Sequence, residues 1–176
     1  MRLNTSAAIL SAVALAATLT VAGAASATAD VPGLSIVKVG YNAYGADTVW
    51  NRNQEFVDVR ASVATDVKGL VVTDQWGKSN LDDNDRGCNT YKVSGALPGI
   101  PEVDGKVTLP AGHTLRVYSG RGTAAHSGTV HAVFMDSRCG YHGHIWGNGG
   151  DTAWVVKGDA SGSFAFDFDN GYTVKP

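Results

Sequence analysis

Three short stretches of this 176-residue chain concentrate the residues able to do chemistry. The first is His142-Gly143-His144-Ile145-Trp146-Gly147-Asn148-Gly149-Gly150-Asp151, with two histidines at i, i+2 ahead of an aspartate. On a strand, that spacing puts both imidazoles on one face about 7 Å apart, which holds one zinc ion when a third ligand arrives. His126, His131, Asp136 and Asp151 are candidates for that ligand. On a loop, the same histidines are solvated and bond locally. The second stretch is Asn80-Leu81-Asp82-Asp83-Asn84-Asp85-Arg86-Gly87. Its Asp82, Asp83 and Asp85 offer oxygens to calcium, which takes six to eight of them. It departs from an EF-hand loop: read from Asp82, Asn84 and Gly87 fit, but Arg86 and Val93 stand where an oxygen ligand and the bidentate Glu belong. The alternative is a hydrated acidic turn. The third group is aromatic. Tyr41, Tyr44, Trp50 and Trp76 are candidates for stacking on sugar faces from loops carried by a rigid scaffold. The alternative for Trp50, which the residues favour slightly, is that it caps the end of that scaffold.

Signs of a catalytic centre are weaker. Ser119-Gly120-Arg121-Gly122 lacks the Gly-x-Ser-x-Gly elbow, and no spacing singles out a Ser-His-Asp triad. Glu55 and Asp58 make a poor glycosidase pair, because a period of two sends them to opposite faces of one strand. Glu55 reads instead as a strand-end residue that pairs or hydrogen-bonds. The expectation is a protein without a catalytic centre or resident cofactor, with calcium at the acidic loop the first exception and zinc at the histidines the second. A small hydrolase with its site in loop inserts is the lesser alternative.

The segments that must position these residues are β in pattern. Ser35–Tyr41, Glu55–Arg60, Gly69–Asp74, Thr114–Ser119, Ala153–Lys157 and Ser163–Phe168 are β-branched or alternating, and Gly, Asp and Asn clusters divide them. No segment offers a convincing amphipathic helix. Two inserts, about 75–105 and 120–145, interrupt the rhythm; they hold Cys88 and Cys139 and most of the histidines. Residues 1–29 read as a signal peptide: Arg2, an apolar run over 7–23, then small residues that allow cleavage after Ala27 or, preferably, Ala29. Residues 30–176 then form one domain. In an exported chain, two cysteines imply a Cys88–Cys139 disulfide. With 14 Lys and Arg against 16 Asp and Glu, and no basic run, the chain carries no footprint for nucleic acid or anionic membrane.

Four segments in order resemble the lamin tail domain family. They are Val39-Gly40-Tyr41-Asn42-Ala43 with Asp47 and Asn51-Arg52-Asn53-Gln54-Glu55-Phe56-Val57, Val67–Asp74, Leu109–Thr123, and Ile145-Trp146-Gly147-Asn148-Gly149-Gly150-Asp151-Thr152-Ala153. The likeness covers about 36–168. Leu70 departs from it, standing where the family usually has Trp, as do Arg60-Ala61 and both inserts. The resemblance implies an all-β, immunoglobulin-like β-sandwich of the lamin-tail type with two loop inserts. In bacteria that family is often found on secreted or surface proteins. On this reading Trp146 is a strand-end core residue, Asn148 and Gly150 accept positive φ in a tight connection, and Asp151 caps that turn. The functional expectation is a secreted, extracellular, monomeric module that binds a protein or polysaccharide or serves a structural role, with divalent-metal binding as the first alternative.

Overall fold

The computed structural model describes residues 30–81, 88–137, 139, 142–167 and 173–176. The leader at 1–29 and the candidate calcium ligands Asp82, Asp83 and Asp85 lie outside the described residues.

The described residues form a sandwich of two main sheets. One is six-stranded in the order β12-β1-β2-β7-β9-β8, built from β1 (Leu34–Gly40), β2 (Phe56–Ala61), β7 (Thr114–Tyr118), β8 (Ala125–Ser127), β9 (Val130–Phe134) and β12 (Thr173–Val174). The other is four-stranded in the order β11-β10-β4-β5, from β4 (Val71–Thr73), β5 (Thr90–Lys92), β10 (Gly150–Lys157) and β11 (Ala160–Asp167). A small pair, β3 (Thr65–Asp66) with β6 (Thr108–Leu109), lies apart from both. Pairing is antiparallel except between β7 and β9, which run parallel with Leu115 opposite His131.

Alternation explains which faces meet. Val57, Val59 and Ala61 of β2 and Leu115 and Val117 of β7 are buried, and so are Val72 of β4, Ala153 and Val155 of β10 and Phe166 of β11. All belong to one apolar core. Tyr41, expected among the sugar-stacking aromatics, is instead fully buried in this core, its ring 4.8 Å from that of Phe166 between centroids. The outer face of the larger sheet is held by charge. Arg116 makes a two-pronged ion pair with Asp58, at 2.6 and 2.7 Å, and lies over the Phe56 ring. Asp58 and Glu55 therefore serve different environments, as a period of two requires.

The structure departs from the expectations in three places. The second insert contains two strands, β8 and β9, within 120–145. Val130-His131-Ala132-Val133-Phe134 alternates, but a histidine occupies the inward position beside Leu115, which masks the apolar pattern. The first insert contains a five-residue helix, α1 (Gln75–Ser79), whose N-terminus is capped by Asp74 accepting from the Gly77 amide. Trp146 is buried in the core but precedes β10 rather than ending a strand.

Cys88 and Cys139 form the disulfide, with Cα atoms 5.5 Å apart. Beside it runs a polar chain: Asn89 Nδ2 donates to Asp74 at 2.6 Å, the Ser137 hydroxyl to Asn89 Oδ1 at 3.2 Å, and the Cys139 amide to the Ser137 hydroxyl at 3.3 Å. Burial pushes the Asp74 carboxyl above its ordinary value despite its bonds from Gly77 and Asn89. The crosslink closes a span of 51 residues, for which loop entropy gives about 4 kcal/mol of stabilisation. We expect the Cys88→Ser/Cys139→Ser double variant to lose about 3–4 kcal/mol in urea unfolding, while its far-ultraviolet circular dichroism stays β-rich.

Candidate functional site

One end of the sandwich is organised around a carboxylate with no exposed surface. Glu55 immediately precedes β2 and is 0 % exposed. Its Oε2 accepts from the Ile145 amide at 2.9 Å and from the Ser119 hydroxyl at 3.1 Å. Its Oε1 lies 2.8 Å from Nδ1 of the buried His144. The other ring nitrogen, Nε2, lies 2.9 Å from the Thr48 carbonyl oxygen. Both nitrogens thus face oxygen atoms, an arrangement that a protonated ring satisfies by donating from both. Asp47 adds a second carboxylate 3.8 Å from Nδ1.

The titration of the pair follows. Burial opposes the charged imidazole. The bonds to Thr48 and Glu55 and the charges of Glu55 and Asp47 outweigh it, and hold His144 above the usual histidine range. Burial also pushes the Glu55 carboxyl upward, against the pull of its three donors, Ile145, His144 and Ser119.

Serine, glutamate and histidine in one cluster resemble a hydrolytic triad only by inventory. Ser119 bonds the carboxylate instead of the imidazole, and neither nitrogen of His144 is left to take a proton from a nucleophile.

The same geometry corrects the metal reading of His142 and His144. They do not share a strand: His142 is exposed with φ of 55°, and His144 is buried. The proposed third ligands are engaged elsewhere. His131 bonds the Pro98 carbonyl at 2.6 Å and His113 at 2.8 Å, and it stacks between His113 and His126. Asp136 pairs with Arg121, and Asp151 accepts from the amides of Thr152, Gly147 and Gln75. Among the described residues, no group of three His, Cys, Asp or Glu side chains is placed to hold a metal ion.

Asp151 spans the turn that leads into β10, and its bond to Gln75 also reaches α1. Gly150 carries the turn's positive φ, 113°; a Cβ there would meet the Phe166 carbonyl at 3.0 Å. Asn148 plays a different part, donating to Asp47 at 3.3 Å.

Above the Glu55–His144 pair stands the 43–54 loop, which hydrogen bonds fix from within. Asn51 Oδ1 accepts from the Thr48 amide and hydroxyl, both at 2.9 Å, and Asn51 Nδ2 donates to the carbonyls of Tyr44 and Ala46. Gln54 Oε1 accepts from the Tyr44 amide at 2.6 Å. This braced loop presents Trp50 at 90 % exposure and Tyr44 at 71 %. At their foot lies an open groove of about 700 Å³ lined by Val49, Trp50, Arg52, Asn53 and Arg121.

The groove walls are pinned together. Asn53 Nδ2 donates to the Arg121 carbonyl at 2.6 Å. The Arg52 side chain threads between Gly120 and Gly143, where a Cβ on either glycine would strike it. Trp76 does not belong to this surface. It sits on α1, which packs on β4 and β10, and is 52 % exposed.

The sequence offered Trp50 and Tyr44 but not the two arginines, which stand alone among polar residues. Nor did it pair Glu55 with His144, 89 positions away. An acid set directly before an alternating apolar strand was the available signal. No family model, curated protein or solved structure matches this chain.

Replacing His144 by Ala leaves a buried carboxylate without its cation, a loss of about 3–5 kcal/mol. A histidine raised in the folded state contributes stability that is complete below its unfolded value, near 6.5, and is lost as pH climbs through the folded value. The raised Glu55 acts in the same sense above about 4.5. Urea midpoints of the wild type should therefore fall from pH 6 to pH 9, and the gap to His144→Ala should narrow. A gap that is constant across that range would contradict the charged assignment.

Proposed function

We propose that this protein is a secreted, non-catalytic β-sandwich module that binds an extracellular polysaccharide through the surface of its 43–54 loop. The observation that carries the reading is Trp50, a large apolar side chain left 90 % exposed on a loop braced by its own hydrogen bonds. An indole held in water has lost conformational freedom without gaining burial, which favours a surface awaiting a partner. The groove beside it mixes an aromatic face and Val49 with amide and guanidinium groups. Sugars match that mixture, because a pyranose has an apolar C–H face and a rim of hydroxyls.

The disulfide is compatible with an extracellular setting. Among the described residues, no helix is long and apolar enough to cross a membrane. The order of the four segments that resemble lamin tail domains supports a place in that family and a scaffold role for the two sheets.

The test is electrophoretic retardation in gels containing neutral or acidic polysaccharides. Wild type should be retarded by at least one polymer, and Trp50→Ala should lose that retardation. Its thermal midpoint should stay within about 2 °C of wild type, because an exposed surface change alters stability by about 0.5 kcal/mol or less. Retardation of both proteins alike, or of neither by any polymer, would end this reading.

A further inference from the structure

We infer that the groove takes an acidic sugar, a pyranose bearing a carboxylate or sulfate group, and that Arg121 grips the anion while Trp50 stacks on the ring. The inference rests on the binding function proposed above and names its ligand class. Arg121 and Trp50 line the same groove. The Arg121 side chain is 57 % exposed, and Nε bonds Asp136 Oδ1. Among the described residues, that carboxylate is the sole partner of the guanidinium. Of its five N–H donors, those on the two terminal nitrogens remain for a planar anion, which a guanidinium fork matches in bidentate fashion.

The fork is also preset. Asp136 holds it at Nε, and Asn53 holds the backbone of the same residue through its carbonyl. Less ordering remains to be done on binding. Asp136 is a positioning residue in this account. Arg52 is not the anion contact: its side chain is only 15 % exposed, wedged between two glycines and directed at the Ser137 carbonyl and Asp136. The chain as a whole is weakly acidic, with a formal net charge of −2, so preference for an acidic polymer has to come from a local cation and not from a general field.

The experiment compares affinities of the full secreted protein for polygalacturonate, dextran sulfate and neutral dextran by titration calorimetry at low and high salt. Wild type should bind one or both acidic polymers at least roughly tenfold more tightly than dextran, with a preference that shrinks as salt rises. Carboxylate and sulfate sources are told apart by which of the two polymers gives the larger ratio. Arg121→Gln should collapse the ratio to near one. Arg60→Gln, an exposed arginine on β2, should leave it intact. Equal binding of dextran and the acidic polymers, an unchanged ratio in Arg121→Gln, or equal losses in both variants would overturn this inference and leave the polysaccharide reading in place. Absence of binding to every polymer would remove both. Unchanged circular dichroism and thermal midpoint identify a folded Arg121→Gln protein; should that variant unfold, competition of wild-type polymer binding by free galacturonate and by galactose sulfate against galactose decides in its place, with competition by at least one of the acidic sugars and none by galactose expected, and equal competition by all three overturning the inference.

Discussion

Everything at the loop end of this sandwich depends on a carboxylate that water cannot reach. Taking Glu55 out of solvent costs several kcal/mol unless opposite charge and hydrogen bonds replace the lost hydration. The replacement comes from three places in the chain: the Ile145 amide, the Ser119 hydroxyl and the His144 ring. His144 then uses its second nitrogen to hold the Thr48 carbonyl. One buried charge thereby fixes the start of β2, the exit of β7, the approach to β10 and the middle of the 43–54 loop. The exposure of Trp50 is a consequence of that anchoring, because the loop that carries it has its backbone committed below.

The two ends of the molecule are held by different physics. Through the middle, valines, leucines and aromatic rings of both sheets share a close-packed core. Toward the loops, polar groups take over: the Cys88–Cys139 bond, the Asp74–Asn89–Ser137 chain and Arg52 clasped by Gly120 and Gly143. Directional bonds of this kind specify one geometry better than apolar contact does, and an imperfect partner among them is costly. Such a region suits a surface whose value lies in its shape.

The sandwich was legible in the sequence because its strands alternate. Thr114–Tyr118 shows its buried face by period alone, and in Phe56–Ala61 the core-facing Val57, Val59 and Ala61 alternate with Asp58 and Arg60. Where a polar residue took an inward position, the pattern broke: His131 hid β9. Glu55 was readable as a strand-end residue that pairs or hydrogen-bonds, but its complete burial was not. The turn at Gly150 and Asp151 could be read from residue type, since one accepts positive φ and the other caps nearby amides. The pairing of His142 with His144 could not hold, because it assumed a strand where the backbone turns at a positive φ. Groups that meet across a hundred residues leave no local trace, which is why Arg52, Arg121 and the Glu55–His144 pair emerged only in three dimensions.

That separation along the chain bears on the order in which the protein matures. Glu55 meets His144 across 89 positions, Thr48 meets it across 96, and Asp47 meets Asn148 across 101. Contacts so distant pay the entropy of closing a long loop before they return anything, so they form late. In a chain synthesised from its N-terminus, the aromatic loop emerges long before its anchors do. Its display is thus coupled to completion: a truncated copy, or one whose C-terminal half has gone astray, carries the same Trp50 without the frame that aims it.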